Sequence, residues 1–284
     1  MPVRLLMGFD GSPAAVAAVG VGATLFPGAH AWICHLWTPP FASDAMRRRL
    51  WTGTRNVNYF IEAIEREGER EAQRLVAIGV TLAGAAGWSA EPVIQRCYGG
   101  EGLELPRLAE KLDPDVLVVG SRGLGGARAV LGSVSDMVVH YTPRPVIVVP
   151  HPLLSAEYAA LPGGPVVVGW DGSSSAQTAF AAAGRLFPTR DLVPVLVSDG
   201  VLDAVDAPPP ARLRRVDAGG GSSGRAVADA LAATARTEGA ALLVVGSRGR
   251  SAVKEILLGS VAMATLHHAY RSVMVVPPTA DRLL

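Results

Sequence analysis

The chain repeats itself, and this internal repeat constrains the fold more than any other feature of the sequence. Residues 3–27 and residues 164–188 each consist of a short apolar run, an Asp-Gly-Ser and a closing Leu-Phe-Pro. Further along, residues 117–123 and residues 243–249 are identical and read LVVGSRG. Because the blocks keep their order in both halves, the sequence predicts two copies of one structural unit in tandem.

The repeat predicts two domains, and a chain of 284 residues is long enough for two of ordinary size. A stretch that contains several Pro and Gly residues, 151–164, has the composition of a linker. We therefore predict one domain over residues 1–156, named unit one, and a second domain over residues 157–284, named unit two.

Unit two is shorter in its middle. The first blocks of the repeat are displaced by 161 residues and the LVVGSRG blocks by only 126, so unit two lacks 35 residues. Unit one has a long amphipathic segment there, residues 52–78, which predicts a helix. Unit two has residues 198–215 instead, and their three consecutive prolines forbid a regular helix.

Predicted strands and helices alternate in both units. Short apolar runs predict buried strands, and Ser12 followed by Pro13 predicts a helix start, because Ser is a preferred N-cap and Pro suits the first helical position. For unit one the strands are 3–7, 31–37, 91–98, 116–120 and 146–150, and the helices are 13–26, 52–78, 101–112 and 133–141. This alternation implies right-handed crossovers. The predicted fold class is α/β, with two doubly wound, parallel-sheet domains of Rossmann-like type.

Composition disfavours several classes of partner. Hydrophobic residues make up 49% of the chain, and a net charge of +1 gives no long-range attraction to nucleic acid or to an anionic membrane. No apolar stretch approaches the roughly 20 residues that span a bilayer, and the first apolar run is too short for a signal peptide. Cys34 and Cys97 match neither a disulfide framework nor a zinc site. We expect a soluble, cytoplasmic protein with reduced thiols and no nucleic-acid or membrane partner.

The loop after the fourth strand of each unit carries the strongest chemical signal. In unit two, Gly246 and Gly249 are followed after nine residues by Gly259 and Ser260. Open α/β sheets bind ligands at the carboxyl ends of their strands, and glycines there let the backbone approach a ligand. The next helix begins at Ser260, and its unpaired N–H groups and dipole attract anions. The residues predict a phosphate site; a tight strand-to-helix turn with a capping Ser is the alternative.

Other nucleotide and metal motifs are missing from the sequence. There is no GxxxxGK[ST] and no GxGxxG after the first strand, which disfavours a P-loop and a dinucleotide-binding domain. His267 and His268 have no carboxylate or cysteine at metal-ligand spacing, so no metal site is predicted. Asp10 and Asp171 precede Gly-Ser, where an Asp often makes a turn and can face a ligand as well.

Asp-Gly-Ser after the first strand, then Gly-x-x-Gly, nine residues and Gly-Ser, resembles the ATP-binding branch of the universal stress protein family. The similarity covers nearly the whole chain, twice. It implies the adenine nucleotide alpha hydrolase-like form of the fold, a stress-response role, and ATP as ligand, with or without Mg²⁺. It also implies that the first Asp lies beside the nucleoside, that the second strand offers backbone groups to adenine, and that the loop holds the phosphates.

The resemblance assigns one set of ATP-binding residues to each unit, and Arg250 is the one loop cation included. In unit two the expected residues are Asp171, Val197, Gly246, Gly249, Arg250, Gly259, Ser260 and Val261. In unit one they are Asp10, Leu36, Gly120, Gly123, Gly132, Ser133, Val134 and Ser135.

The two units depart from the motif in different places. Unit one has eight residues, not nine, between Gly123 and Gly132. In an extended chain one residue moves the helix start by about 3.3 Å, and the alternative is that the loop absorbs the change by adopting another conformation. Unit two keeps the spacing but has Ala262 where unit one has Ser135, and it lacks the long helix. Because a displaced helix start would lose several backbone donors at once, we predict that unit two is the tighter nucleotide site.

Three functions of different classes are compatible with the residues. The leading hypothesis is an ATP-binding regulatory protein whose output is a conformational or association state, with no catalytic residue and at most slow ATP hydrolysis. An adenylyl-transferring enzyme would need a HxGH or SGGxDS loop, and the sequence has neither. A nucleotide-free interaction module is the third. The final strands, 146–150 and 274–277, are apolar and are expected to pair between the units or in a homodimer.

Overall fold

The structure is a computed structural model that describes residues 1–38, 57–97, 101–121, 131–198, 210–219, 223–249 and 258–278. Within these residues unit one contains five strands and four helices. The strands are β1 (Arg4–Gly8), β2 (His30–Trp37), β3 (Ser89–Arg96), β4 (Val116–Gly120) and β5 (Val146–Val149). The helices are α1 (Pro13–Leu25), α2 (Val57–Ala85), α3 (Glu101–Leu112) and α4 (Ser133–Tyr141).

A short helix, α5 (Ser155–Ala160), leads into unit two. The strands of unit two are β6 (Val166–Gly169), β7 (Leu192–Ser198), β8 (Arg214–Asp217), β9 (Leu242–Gly246) and β10 (Val273–Val276). Its helices, within the same described ranges, are α6 (Ser174–Leu186), α7 (Gly224–Thr237) and α8 (Ser260–His268). The predicted alternation of strands and helices is therefore confirmed.

The described strands form one ten-stranded sheet in the order β3-β2-β1-β4-β5-β10-β9-β6-β7-β8. Every neighbouring pair within a unit is parallel. Both halves thus have the doubly wound order 3-2-1-4-5, which confirms the predicted fold class. The strand order reverses beside β1 and beside β6, and such a switch point is where open sheets bind ligands.

The two half-sheets join through their final strands. β5 and β10 pair antiparallel, with Ile147 opposite Met274, so the expected pairing of these strands occurs within the chain. The antiparallel pair relates the units by an approximate two-fold axis. Phe26 and Phe187, the equivalent aromatic residues of the two Leu-Phe-Pro blocks, stack on each other with ring centroids 5.0 Å apart and an interplanar angle of 28°.

Apolar side chains are buried on both faces of the sheet. Alternate residues of a strand point to opposite faces, as Leu5 and Leu6 of β1 do. One face packs against α1, α2 and α6 and contains Leu5 and Ile33. The other packs against α3, α4, α7 and α8 and contains Leu6 and Leu243. Because helices cover both faces, the parallel strands read as continuous apolar runs.

Three elements, β4, α3 and α4, match their predicted bounds residue for residue. The predicted end of α2 is wrong. The prediction stops one residue before Gly79, whereas the helix continues to Ala85. A Cβ on Gly79 would lie 2.7 Å from Ile33 Cγ2 and 2.9 Å from Phe9 Cδ1, so glycine serves close helix–sheet packing here. The chain leaves the helix at Gly87, whose φ of +91° lies in the left-handed region that glycine favours.

The connection between the units is packed against unit two. Glu157 of α5 is buried and forms an ion pair with buried Arg271, with Oε1 and Nη2 3.5 Å apart. Arg190 donates to the carbonyl oxygens of Leu161 at 2.7 Å and Gly164 at 2.9 Å. The predicted domain boundary falls inside α5 and stays a prediction. The described residues around this boundary are packed and hydrogen-bonded against unit two, so they do not form an extended linker.

Candidate nucleotide-binding site

The loops after β4 and β9 are closed at their base in the same way. In unit two, the Gly259 N–H donates to the Ser247 carbonyl oxygen at 2.7 Å. In unit one, the Gly132 N–H donates to the Ser121 carbonyl oxygen at 2.8 Å. The expected displacement of the helix start in unit one is therefore wrong, because the two ends of the loop are held by the same hydrogen bond in both units.

Helices α4 and α8 begin without a side-chain cap. Their N-cap residues are Gly132 and Gly259, and among the described residues no side chain accepts a capping hydrogen bond at either helix. In contrast, a Ser hydroxyl accepts a first-turn N–H of α1, α6 and α7; these N-caps are Ser12, Ser173 and Ser223. The first turns of α4 and α8 therefore keep the unpaired N–H groups and the positive dipole end that attract an anion.

The start of α7 lies directly against the start of α8. A Cβ on Gly224 would lie 2.7 Å from both Cβ and Oγ of Ser260. In unit one, the start of α3 lies against the second turn of α4, since a Cβ on Gly102 would lie 2.5 Å from Met137 Cβ. Two helix N-termini thus meet directly beside the loop of unit two, and their dipoles add there.

The two aspartates make the turn that follows the first strand of each unit. Asp10 Oδ1 accepts the Ser12 N–H at 2.9 Å, and Asp171 Oδ1 accepts the Ser173 N–H at 3.0 Å. The turn-making role that the sequence left open is therefore real. It does not exclude a second role, because the other oxygen of Asp171 lies near the loop. A Cβ on Gly249 would approach Asp171 Oδ2 to 3.2 Å.

Gly120 and Gly246, the last residues of β4 and β9, are required for helix–strand packing. A Cβ on Gly120 would lie 2.9 Å from the Ala14 carbonyl carbon. A Cβ on Gly246 would lie 2.4 Å from Ser175 Oγ and 2.8 Å from its carbonyl oxygen. Each strand end thus passes against the first turn of α1 or α6. Packing alone accounts for these two glycines, and their contact with a ligand stays a prediction.

The peptide groups of Leu36 and Val197 face the two switch points. The Cys34 carbonyl oxygen accepts an N–H from the residue that follows β1, and the Val195 carbonyl oxygen accepts one from the residue that follows β6. Peptide groups two residues apart in a strand point to the same side. Leu36 and Val197 therefore direct their N–H and C=O groups past the ends of β1 and β6, where a planar ligand edge can meet them.

The hydroxyl groups of α4 and α8 divide into exposed and buried ones. Ser133 and Ser260 are exposed at the first helical position of α4 and α8. Ser135 is buried, and its hydroxyl donates to the Gly120 carbonyl oxygen at 2.7 Å, so its hydrogen is already used within the fold. Val134 and Val261 pack partly on the core, which leaves only their backbone N–H groups for a ligand.

Two predicted site residues, Gly123 and Arg250, lie outside the described residues. The remaining members of each set lie at the carboxyl edge of their own half-sheet. In unit two, Asp171, Gly249 and Gly259 come together directly. A Cβ on Gly259 would lie 3.6 Å from the Gly249 nitrogen, and Gly249 in turn adjoins Asp171.

One residue beside the site in unit one was not predicted. His35 Nδ1 lies 2.8 Å from the Phe9 carbonyl oxygen, just before Asp10. A carbonyl oxygen only accepts, so Nδ1 carries the hydrogen in this contact. Unit two has Leu196 at the equivalent position. The signal was available in the sequence as a polar residue next to Leu36 in an otherwise apolar strand.

The described residues contain no group of three or more His, Cys, Asp or Glu side chains placed to hold a metal ion. Mg²⁺ is commonly held by one or two carboxylates together with phosphate oxygens and water. Among the described residues, Asp10 and Asp171 are carboxylates that follow the first strands, and one oxygen of each already holds a turn. In the part of the chain that the structure describes, no helix is long and apolar enough to cross a membrane.

Comparison with known proteins identifies the family. The family model described as universal stress protein family matches residues 1–150 and 222–277. The chain belongs to the universal stress protein family. The match omits residues 151–221, although β6 and β7 from that region take the same places in their half-sheet as β1 and β2.

Solved structures share the fold of this universal stress protein over both units. A universal stress protein from Archaeoglobus fulgidus DSM 4304 is 18% identical, with 97% of this chain and 98% of that chain covered and a TM-score of 0.68. A protein of unknown function from Pseudomonas aeruginosa PAO1 is 12% identical, with 99% and 95% covered and a TM-score of 0.57. At these identities the likeness concerns the fold.

One curated relative is similar in sequence. A universal stress protein of Mycolicibacterium smegmatis is 32% identical over 192 residues, which are 57% of this chain and 62% of the relative. The chain therefore spans less than two thirds of that relative's length.

Proposed function

We propose that this universal stress protein binds adenine nucleotides, above all ATP, at the carboxyl edge of each half-sheet. Its output is a regulatory, stress-response change of conformation or association. The phosphates meet the start of α8 in unit two and of α4 in unit one, and the nucleoside lies between the first-strand Asp and the second strand.

One observation carries the proposal. Helices α4 and α8 begin at an uncapped glycine, whereas α1, α6 and α7, the other helices at this edge whose N-cap residues are described, begin at a capping Ser. Unpaired N–H groups at a helix start lower the free energy of an anion placed there. The paired helix starts at Gly224 and Ser260 strengthen this effect in unit two.

The neighbouring groups fit the rest of an adenine nucleotide. Asp171 Oδ2 faces Gly249 of the loop, and in this position it can accept a hydrogen bond from a ribose hydroxyl. The outward peptide groups of Val197 offer one donor and one acceptor, which match the edge of adenine. Asp10 and Leu36 offer the same groups in unit one.

A regulatory output is favoured over rapid catalysis. Phosphoryl transfer needs metal ions and cations that neutralise developing charge on the phosphates. The two aspartates near the loops are each partly committed to a turn. We therefore assign no catalytic residue, and a slow hydrolysis of bound ATP is compatible with the proposal.

The first test is titration calorimetry of the purified, nucleotide-stripped chain with ATP and with AMP. We expect ATP to bind at least about tenfold more tightly, because its added phosphates gain charge-assisted hydrogen bonds at the helix start. Mass spectrometry of the protein before stripping should detect co-purified adenine nucleotide. Equal affinity for the two nucleotides, or binding of neither, would contradict the proposal and favour a nucleotide-free interaction module.

The second test is phosphate release from saturating ATP with Mg²⁺. We expect a rate far below the enzyme median of about 10 per second. Ser260→Ala is the informative variant, since its hydroxyl is exposed at the start of α8, and Thr237→Ala at the far end of α7 is its control. Turnover near the median rate that is lost in Ser260→Ala but kept in the control would replace the regulatory proposal with an enzymatic one.

A further inference from the structure

A serine hydroxyl makes a hydrogen bond near the end of β4 in unit one, and another does so near the end of β9 in unit two. The two serines belong to helices that are not equivalent. In unit one, Ser135 of α4 donates to the Gly120 carbonyl oxygen at 2.7 Å. In unit two, the position of Ser135 is occupied by Ala262. The hydroxyl there belongs to Ser175 of α6, whose equivalent in unit one is Ala14.

Ser175 contacts the loop after β9 directly. Its Oγ accepts the Arg248 N–H at 3.3 Å, and the residue is only 5% exposed. It also lies against the end of the strand, since a Cβ on Gly246 would lie 2.4 Å from the same oxygen. The next residue along the loop, Gly249, is the one that passes Asp171. The hydrogen bond from the Arg248 N–H to Ser175 Oγ therefore fixes the backbone at the point where the loop meets the aspartate.

We infer that Ser175 is the positioning residue of the nucleotide site in unit two, in the place of Ser135 in unit one. This assignment rests on the proposed function. Ser175 acts through Arg248 and Gly249 and does not touch the nucleotide. A loop flanked by glycines has large conformational freedom, and a ligand that must order it binds more weakly. Ser175 orders the loop before the ligand arrives.

The two anchors fix different parts of the site. Ser135 ties the start of α4 to its strand, whereas Ser175 ties the loop to the helix that follows Asp171. A loss of Ser175 should therefore affect unit two alone, and a loss of Ser135 unit one alone. This specificity separates a positioning role from a general loss of stability, which would weaken both units.

The test is hydrogen exchange with mass spectrometry on the full chain during an ATP titration. Peptides that cover 244–262 report on unit two, and peptides that cover 118–135 report on unit one. We expect Ser175→Ala to raise the ATP concentration of half-protection about tenfold in unit two, the equivalent of one lost hydrogen bond, and to leave unit one unchanged. Ser135→Ala is the matched control and should do the reverse. Without ATP, the Arg248 amide should exchange faster in Ser175→Ala.

A double variant separates the two anchors. Ser175→Ala combined with Ala262→Ser places a hydroxyl where unit one has Ser135, but that hydroxyl ties the helix start to the strand and does not accept the Arg248 N–H, so the half-protection concentration of unit two should stay raised. An unchanged half-protection concentration in Ser175→Ala, an equal rise in both units, or full recovery in the double variant would overturn the assignment alone. If ATP protects neither unit of the unmodified chain, the proposed function fails and the assignment fails with it.

Discussion

The two units have the same strand order although one of them lacks 35 residues. In unit one, α2 covers the end of β1 and presses Gly79 against Phe9. In unit two, the equivalent of Phe9 is the larger Trp170, which packs edge-on against Phe180 of α6 with centroids 6.0 Å apart. The apolar strands and their crossover helices therefore determine the sheet. The segment between the second and third strands determines only how one face is covered.

The two units cover this face of the sheet differently, and this also changes the groups that lie beside the candidate site. Trp170 is 6% exposed, and its indole N–H finds no acceptor among the described residues. In unit one, Phe9 has no polar side-chain atom, and its carbonyl oxygen is held by His35. The helix starts at Gly132 and Gly259 are alike, so the units differ mainly beside the ends of their first strands and in their serine anchors.

The charged residues before the final strands differ as well. Arg144 of unit one and Arg271 of unit two occupy equivalent positions. Arg144 pairs with Asp113, whose side chain is 55% exposed. Arg271 pairs with Glu157, and these two side chains are only 6% and 7% exposed. Burial lowers the pKa of Arg271, and the Glu157 carboxylate opposes this. Burial lowers the pKa of Arg144 too, and its side chain is only 10% exposed, so the two pairs differ in the exposure of the acidic partner.

The largest expected effect tests this contrast. Glu157→Ala leaves the enclosed Arg271 guanidinium without a counter-charge, and we expect it to lower the free energy of unfolding by about 3–5 kcal/mol. Asp113→Asn is the matched change in unit one, and Asn tolerates the positive φ of 53° at this position. Water can reach the Asp113 carboxylate, so the loss of its charge should cost less, about 1 kcal/mol. Chemical unfolding at neutral pH measures both. Equal losses in the two variants would contradict the contrast.

Much of the fold was predictable because it follows from local pattern. The apolar run of β4 and the glycines around it gave correct bounds for that strand and for α4. The end of α2 was not predictable, because Gly79 reads as a helix breaker in sequence and is a packing residue in three dimensions. A glycine's role depends on what its missing side chain would meet, and only the folded chain supplies that neighbour.

The same limit applies to the site. Spacing along the chain predicts a displaced helix start in unit one, but the Gly132–Ser121 hydrogen bond holds it in place. The resemblance places Ser135 among the ATP-binding residues of unit one, yet its hydroxyl is bonded to the Gly120 carbonyl oxygen. The aligned repeats show that unit two has Ser175 and Ala262 where unit one has Ala14 and Ser135. The sequence does not show that both positions lie beside the end of one strand, and this proximity is what gives the exchange its meaning.

The second prediction concerns which unit binds ATP more tightly. Loop length no longer separates the units, but the Ser175 anchor still favours unit two. Gly249→Val should weaken the tighter binding step about a hundredfold, about 2.7 kcal/mol, because the new side chain would press on Asp171 Oδ2 only 3.2 Å from its Cβ. Gly123→Val is the matched change in unit one and should affect only the weaker step. Calorimetric titration of ATP resolves the two steps. Loss of the tighter step in Gly123→Val, with Gly249→Val unaffected, would reverse the order of the units.

The smallest effect tests whether the two units act as one folded body. Residues near a two-fold axis meet their own equivalents across it, and Phe26 meets Phe187 in this way, each 3% exposed. Each Phe→Leu change removes buried apolar area as well as the ring stacking, so each single variant should lose stability for both reasons. A double-mutant cycle removes those separate costs. We expect a coupling of about 0.5–1.5 kcal/mol in the free energy of unfolding, the usual range for a stacked aromatic pair. If the two single losses add up to the double loss, the rings contribute burial alone, and the β5–β10 pairing then holds the units together without help from the stack.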